Sequence, residues 1–197
     1  MYAYADGIFF QDDLYLSDNE DFSPAAKEVF LGKFGKELTV ETLKDESIRK
    51  QWTDVKVQVM QDLTLKLMKA FRTYRPYSFF ARGIYPEAIL DKAAQERYGQ
   101  NYRNYLDTYD YTIVMTNPLN DKQSENFPAW LGNLAQAAFA EPDAGEKVVF
   151  MINTFDFREN SWIKDKELKE QVDALRRKGA VNFTYYPEMT LEDKTTT

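Results

Sequence analysis

Five short apolar segments alternate with helical segments along the 197-residue chain, and this alternation limits the fold more than any other feature. The apolar segments end near residues 10, 84, 115, 152 and 185, and polar residues follow each of them. A repeated strand–helix–strand order with right-handed crossovers produces a parallel sheet. Short strands that each end in polar residues favour a (β/α) barrel over a doubly wound sheet, and no glycine-rich phosphate loop follows any strand.

A closed barrel of this type needs eight strands. The sequence therefore predicts an α/β fold of the (β/α)8 TIM-barrel type that is incomplete, with about five strands from the C-terminal portion of the barrel. We expect one partial barrel domain over residues 1–190 and a polar tail over residues 191–197. No internal repeat or linker divides the chain.

The predicted helices begin and end at typical capping residues. Ser23 precedes Pro24 as an N-cap, and Gly35 ends the first helix. Further helices are expected near residues 93–105, 127–140 and 167–178. The longest helix ends at Arg75-Pro76. The apolar residues of this longest helix recur at steps of three and four, which predicts one apolar stripe: Ile48, Trp52, Val55, Val59, Leu63, Leu67 and Phe71. Trp52 and Trp130 are expected in the core.

The amino-acid composition excludes several classes of chemistry. The chain has no cysteine and no histidine, so thiolate nucleophiles, a Ser-His-Asp triad and histidine-ligated zinc are excluded. Acid–base chemistry must therefore use Asp, Glu, Tyr or Lys, and no cofactor is predicted. The net charge of -7 argues against a nucleic-acid partner. No apolar run is long enough to span a membrane, and the sequence starts without a signal peptide.

The strand ends supply the candidate catalytic residues. Asp12 and Asp13 follow the first strand, where barrel enzymes place catalytic acids, although a solvated turn or a helix-capping pair would have the same sequence. Asp18, Glu20 and Asp21 lack the spacing of a calcium loop, which indicates a solvated acidic loop.

The later strand ends supply the candidate substrate-binding residues. Arg82 lies within an apolar strand, so it requires either a buried ion pair or a contact with substrate or a carboxylate. Trp162, in the loop after the fourth strand, is a candidate for stacking on a sugar ring. The other polar candidates at the strand ends are Tyr85, Asn117, Asn153, Asp156, Tyr186 and Glu188.

Several segments, in order along the chain, resemble the C-terminal glycoside hydrolase domain of the PgaB family, which handles the biofilm polysaccharide poly-β-1,6-N-acetyl-D-glucosamine. Residues 6–13, Asp-Gly-Ile-Phe-Phe-Gln-Asp-Asp, are similar to the family's D-G-I-L-F-H-D-D segment. Residues 81–85 resemble its A-R-N-x-Y motif, and residues 109–115 resemble its Y-D-Y-T-x-x-M motif. Residues 179–187 are similar to its last strand.

This resemblance implies a function and roles for individual residues. The family's barrel hydrolyses partially de-N-acetylated polymer, and the resemblance makes Asp12 the general acid and Asp13 its catalytic neighbour. Arg82, Tyr85 and Tyr186 match positions that face the sugar groove. The chain is expected to begin inside the barrel, after the family's deacetylase domain. The implied location is periplasmic or outer-membrane-associated, and the implied partner is an amino-sugar polysaccharide.

Two alternatives to an active hydrolase follow from the same pattern. The domain could bind or scaffold the polysaccharide without cleaving it. The chain could also be a truncated fragment that is inactive alone, because absent strands leave open sheet edges that favour self-association.

Overall fold

The computed structural model describes residues 6–11, 14–91, 93–117, 126–156 and 159–187. In these residues the strands are β1 (Gly7–Phe10), β2 (Phe79–Ile84), β3 (Tyr111–Met115), β4 (Val148–Asn153), β5 (Phe155–Asp156), β6 (Ser161–Trp162) and β7 (Phe183–Tyr186). Five of the described strands form one parallel sheet in the order β1-β2-β3-β4-β7. The sheet curls into half a barrel, which confirms the predicted fold class. Strands β5 and β6 form a separate antiparallel hairpin.

The helices connect the strands of the sheet. They are α1 (Pro24–Phe34), α2 (Glu46–Tyr74), α3 (Glu87–Leu90), α4 (Ala94–Tyr98), α5 (Tyr102–Thr108), α6 (Phe127–Ala138), α7 (Ala144–Lys147) and α8 (Asp165–Arg176), with a 3-10 turn at Thr42–Lys44. The predicted caps of α1 are confirmed: the Ser23 hydroxyl accepts a hydrogen bond from Ala26 N at 3.2 Å, and Gly35 has a φ of 62°.

The single helix predicted over residues 93–105 is wrong. Gly99, with a φ of 54°, ends α4, and the Asn101 side chain caps α5 by accepting a hydrogen bond from Asn104 N at 3.0 Å. A left-handed residue followed by a new N-cap redirects the chain, so two short helices replace one.

The two faces of the sheet have different surroundings. One face packs against the helices and forms the main core, with Phe80, Ile84, Val114, Phe150 and Ile152 all fully buried. The opposite face, with Phe9, Phe79, Tyr111 and Tyr186, is 36–54% exposed at these residues. Alternate residues of a strand point to opposite faces, so the described helices cover one side of the sheet only. This one-sided cover is the arrangement of a barrel wall.

The apolar stripe predicted for α2 is wrong at its centre. Val59, Leu63 and Leu67 are 41–45% exposed, whereas Lys56 and Met68 are each 3% exposed. A step of four residues advances about 40° beyond a full turn, so repeated steps of four wind the stripe around the helix. At the start of α2 the prediction is confirmed, because Ile48 and Trp52 pack in a second core cluster with Phe30 and Leu38. Trp130 is buried in the main core, as predicted.

Candidate functional site

The carboxyl ends of the parallel strands define one edge of the half barrel, and the sequence-predicted residues follow these ends. The registers place Phe10 beside Arg82, Ile84 beside Val114, and Asn153 beside Tyr186. Strand β1 therefore leads to the edge at which β2, β3, β4 and β7 also end. The predicted residues Asp12, Asp13 and Glu188, and the predicted tail, lie outside the described residues.

The loop after β1 is held by hydrogen bonds among its own residues and with neighbouring segments. Leu14 N donates to Gln11 O at 3.4 Å. The Ser17 main-chain N–H and hydroxyl both donate to Glu20 Oε2, at 2.9 and 2.8 Å. These donors, first the main-chain N–H and then the hydroxyl, lower the pKa of the Glu20 carboxyl. Asp18 N also donates to Arg97 O at 3.2 Å. The acidic loop is thus an ordered turn.

Tyr85 lies in a cluster of three tyrosines beside this loop. Its ring centroid is 5.7 Å from that of Tyr15 and 4.9 Å from that of Tyr98, and the Tyr15 and Tyr98 centroids are 6.0 Å apart. Its main-chain N–H donates to the Oε1 atom of the fully buried Gln100 at 2.9 Å. Burial and, to a smaller extent, Glu87 raise the pKa of the Tyr98 hydroxyl. The cluster joins the ends of β1 and β2.

The sequence prediction missed two members of this tyrosine cluster. Tyr15 follows Asp13 by two residues, so its place in the same loop was the available signal. Tyr98 had no such signal, because only the ending of α4 at Gly99 brings it to this edge.

Arg82 lies on the helix-covered face of the sheet, level with Phe10 and Thr112. It is 1% exposed, and its Nη2 atom donates to Leu14 O and, at 3.4 Å, to the Tyr105 hydroxyl. The guanidinium carbon lies 5.2 Å from the centre of the Tyr105 ring. Its Nε and Nη1 atoms have no hydrogen-bond partner among the described residues, and no described carboxylate pairs with it. Arg82 therefore supports the β1 loop, and its contact with substrate stays a prediction.

Asn153 and Tyr186 are register partners at the ends of β4 and β7, on the open face. The Thr154 hydroxyl donates to Pro187 O at 2.7 Å and Thr154 N donates to Tyr186 O at 2.8 Å, which ties the two strand ends together. At the end of β3, the Thr116 hydroxyl donates to Met151 O at 2.7 Å and precedes the exposed Asn117. Thr154 thus holds the main chain next to Asn153, and Thr116 holds the main chain next to Asn117.

The other two candidates project from the β5–β6 hairpin. Asp156 accepts a hydrogen bond from Glu159 N at 3.2 Å through its Oδ1 atom. Trp162 is half-buried, with its ring centroid 5.0 Å from that of Phe155 in an edge-on contact. Ile163 N donates to Thr154 O at 2.9 Å, so the hairpin is anchored beside Asn153 and Tyr186. The candidate residues thus form two groups, one beside β1 and β2 and one beside β4 and β7, and Asn117 follows β3 between them.

The residues described here contain no group of three or more acidic side chains placed to hold a metal ion. Within the same residues, no helix is long and apolar enough to cross a membrane.

Comparisons with known proteins relate the chain to carbohydrate enzymes. A family model described as hypothetical glycosyl hydrolase family 13 matches residues 1–186. The chain is also 29% identical, over 199 residues, to the poly-beta-1,6-N-acetyl-D-glucosamine N-deacetylases of Escherichia coli strain K12 and Escherichia coli O157:H7. Each alignment covers 98% of this chain and 30% of the relative, so the chain spans less than a third of the length of these curated relatives.

A solved structure has a closely similar fold. It is the PgaB (BpsB) glycoside hydrolase domain from Bordetella bronchiseptica, with a TM-score of 0.84 and 29% sequence identity. The match covers 92% of this chain and 52% of that chain. The resemblance to the C-terminal hydrolase domain of the PgaB family is therefore confirmed.

Proposed function

Because the chain belongs to hypothetical glycosyl hydrolase family 13, we propose that it is a glycoside hydrolase. Its substrate would be partially de-N-acetylated poly-β-1,6-N-acetyl-D-glucosamine, cleaved within the polymer as part of biofilm polysaccharide processing and export. The likeness to the deacetylases of this polymer and to the PgaB hydrolase domain supports this substrate class. The observation that carries the proposal is that β1 ends at the edge where the other parallel strands end, and that Asp12 and Asp13 follow β1 in the sequence.

In the proposed reaction, the protonated Asp12 carboxyl donates its proton to the glycosidic oxygen while the bond from that oxygen to the anomeric carbon breaks. A water molecule then adds its oxygen to the anomeric carbon and returns a proton to Asp12. General acid catalysis of this kind contributes about 10²–10⁴-fold to a rate. The absence of histidine and cysteine from the sequence leaves carboxyls as the natural groups for this role.

The second participant in the reaction has three candidates: Asp13, Asp156, or the acetamido group of the substrate itself. Neighbouring residues of an extended strand point to opposite faces, so Asp12 and Asp13 can act together only where the chain turns. We propose Asp13 for this role, because the family resemblance makes it the neighbour of the acid, either as a base or as the group that orients a substrate acetamido group.

The polymer would lie along the strand ends, and two aromatic groups suit its sugar rings. Tyr85 is half-buried in the tyrosine cluster, and Trp162 and Tyr186 are accessible near the β5–β6 hairpin. Aromatic rings supply apolar area for the faces of sugar rings. Asn117, Asn153 and Asp156 complete the proposed binding residues, whereas the buried Arg82 would act from beneath the β1 loop. The net charge of -7 favours a polymer that carries free amines.

The direct test is incubation of the 197-residue chain with partially de-N-acetylated polymer, with measurement of new reducing ends. The proposal predicts their steady release, together with binding by calorimetry. Binding without release would favour the alternative of a polysaccharide-binding or scaffold domain. If the chain neither binds the polymer nor releases reducing ends, the result would favour a fragment that is inactive alone.

We also propose that the chain associates with itself. Among the described residues, β1 pairs only with β2 and β7 only with β4, so each of these two strands has a neighbouring strand on one side only. The open face carries exposed aromatic residues, including Phe79 at 54% exposure. Sedimentation equilibrium should give a mass above 23.1 kDa that falls in the variant Phe79→Lys. A wild-type chain that sediments as a monomer would contradict self-association.

The proposed location is periplasmic or outer-membrane-associated, in keeping with the family resemblance. Fractionation of the native host should find the protein outside the cytoplasmic fraction, and recovery in that fraction alone would contradict this location.

A further inference from the structure

We propose that Arg82 and Lys56 are positioning residues that fix the loop after β1, and with it Asp12, by binding main-chain carbonyls of that loop. The inference rests on the proposed hydrolysis for its catalytic consequence. The anchoring of residues 14–20 is independent of the proposed hydrolysis, because it follows from the contacts of Arg82 and Lys56 alone.

Arg82 reaches the loop from inside the protein. Its Nη2 atom donates to the carbonyl oxygen of Leu14, two residues beyond Asp12, and the side chain is 1% exposed. A buried guanidinium is costly, and buried cations are usually paired with a carboxylate. Within the described residues this one is partnered by a carbonyl, a tyrosine hydroxyl and a tyrosine ring instead. We explain this costly burial of the Arg82 guanidinium by its role in holding the main chain at Leu14.

Lys56 reaches the same loop from α2. Its Nζ atom donates to the carbonyl oxygens of Ser17 and, at 3.1 Å, of Glu20, and the residue is 3% exposed. Burial lowers the pKa of Lys56, while the nearby charges of Asp18, Glu96 and Glu20 oppose this shift. No described carboxylate forms an ion pair with Lys56. Lys56 therefore repeats the arrangement of Arg82, a buried cation on the carbonyls of one loop.

Two further contacts leave the loop little freedom. A Cβ atom at Gly99 would collide with the carbonyl oxygen of Leu16, so only glycine allows this close approach. The Tyr15 ring packs edge-on against those of Tyr85 and Tyr98. Residues 14–20 are thus held from β2, from α2 and from the segment around Gly99.

Such anchoring matters because a catalytic acid must be held close to its productive geometry. A displacement of about 1 Å can cost on the order of 10²-fold in rate. Arg82, which is buried, cannot bind the polymer directly in this conformation. Its removal should therefore act on turnover rather than on affinity.

The first test is Arg82→Lys, which keeps the positive charge but loses the fork of donors. We expect kcat to fall about 10–100-fold while KM changes less than about twofold. The matched control is Arg103→Lys, because Arg103 also donates to a main-chain carbonyl, that of Pro142 at 2.9 Å, but on α5. The control should keep both kinetic constants. A rise in KM with an unchanged kcat would make Arg82 a substrate contact and overturn its positioning role.

The second test is hydrogen exchange, measured by mass spectrometry, on the folded 197-residue chain. The variant Lys56→Met removes the ammonium group and keeps the length of the side chain. Exchange in residues 14–20 should accelerate at least about tenfold. The matched control is Lys147→Met, because Lys147 Nζ donates to the carbonyl oxygens of Leu106 and Tyr109, far from this loop along the chain. The control should leave exchange in residues 14–20 unchanged.

The two tests separate this inference from the proposed function. If the wild-type chain releases no reducing ends, the proposed hydrolysis fails, and the exchange experiment still decides whether the cations anchor the loop. If the wild type is active and Lys56→Met leaves both exchange and kcat unchanged, the positioning role of Lys56 is refuted.

Discussion

Individual residues of the loop after β1 determine how the proposed site is built. Glu20 folds back on Ser17, Lys56 binds the carbonyls of the same turn, and Gly99 lets Leu16 approach. Each of these residues contacts main-chain atoms of residues 14–20, and Glu20 also accepts a hydrogen bond from the Ser17 hydroxyl. The loop is thus held mainly through its main chain.

The lowered pKa of Glu20 predicts a pH-dependent contribution to stability. A carboxyl whose pKa is lower in the folded than in the unfolded chain stabilises the fold at pH values above its ordinary pKa of 4.5. This contribution is lost as the pH falls through the folded pKa. In urea unfolding, Glu20→Gln should therefore be less stable than wild type at pH 7, and the difference should shrink at pH 3.

The control for this prediction is Glu28→Gln, on the exposed side of α1. It should differ little from wild type at either pH. A Glu20→Gln difference of equal size at both pH values would contradict the link between this carboxyl and stability.

Among the structural elements, α2 shows best which features follow from the local sequence pattern and which follow from tertiary contacts. Its predicted end at Arg75-Pro76 is confirmed. At its start, Asp45 caps the helix by accepting hydrogen bonds from Ser47 N and Ile48 N at 3.0 and 3.2 Å. Its buried face is different from the predicted stripe. Met68 packs in the main core, while Leu63 is 41% exposed.

This difference gives a direct stability prediction. Met68→Ala should cost about 2–5 kcal/mol, because it removes a fully packed side chain and leaves a cavity. Leu63→Ala should cost less than about 1 kcal/mol, because much of that side chain already contacts solvent. Chemical denaturation of the two variants provides the measurement. Equal losses would show that the stripe read from the sequence, and not the packing described here, stabilises α2.

Sequence patterns predicted the parts of the fold that depend on neighbouring residues. The apolar strands, the Ser23 cap and the glycine at position 35 act locally, and the structure has them where they were expected. The burial of Lys56 could not be predicted, because the carbonyls that stabilise it belong to a loop 36–39 residues away. The β5–β6 hairpin was missed because strands of two residues show no alternation.

The sequence identified candidate site residues but not the face of the sheet on which each side chain lies. Arg82 was expected either in an ion pair or at the sugar groove, and the structure places its side chain on a carbonyl under the helices. Only the sheet register and the position of the loop after β1 determine this placement. The same limit applies to Tyr98, whose place beside Tyr15 depends on how α4 ends.

At the scale of the whole molecule, the described chain is a half barrel whose strand ends all meet at one edge. The helices cover one face, and the open face and two outer strands remain accessible. The structural relative is about twice as long as the matched region, since the match covers 52% of that chain. The open face is the surface that we propose for self-association, and the shared edge is the place that we propose for a polysaccharide.

The central claim is that this edge cleaves an amino-sugar polymer with Asp12 as the acid. The most direct measurement is the rate of reducing-end release from partially de-N-acetylated poly-β-1,6-N-acetyl-D-glucosamine by wild type, by Asp12→Asn and by the control Asp54→Asn, an exposed residue of α2. Removal of the acid should lower kcat by about 10²–10⁴-fold, with binding retained and the control unaffected. Release by Asp12→Asn at close to the wild-type rate would contradict the claim.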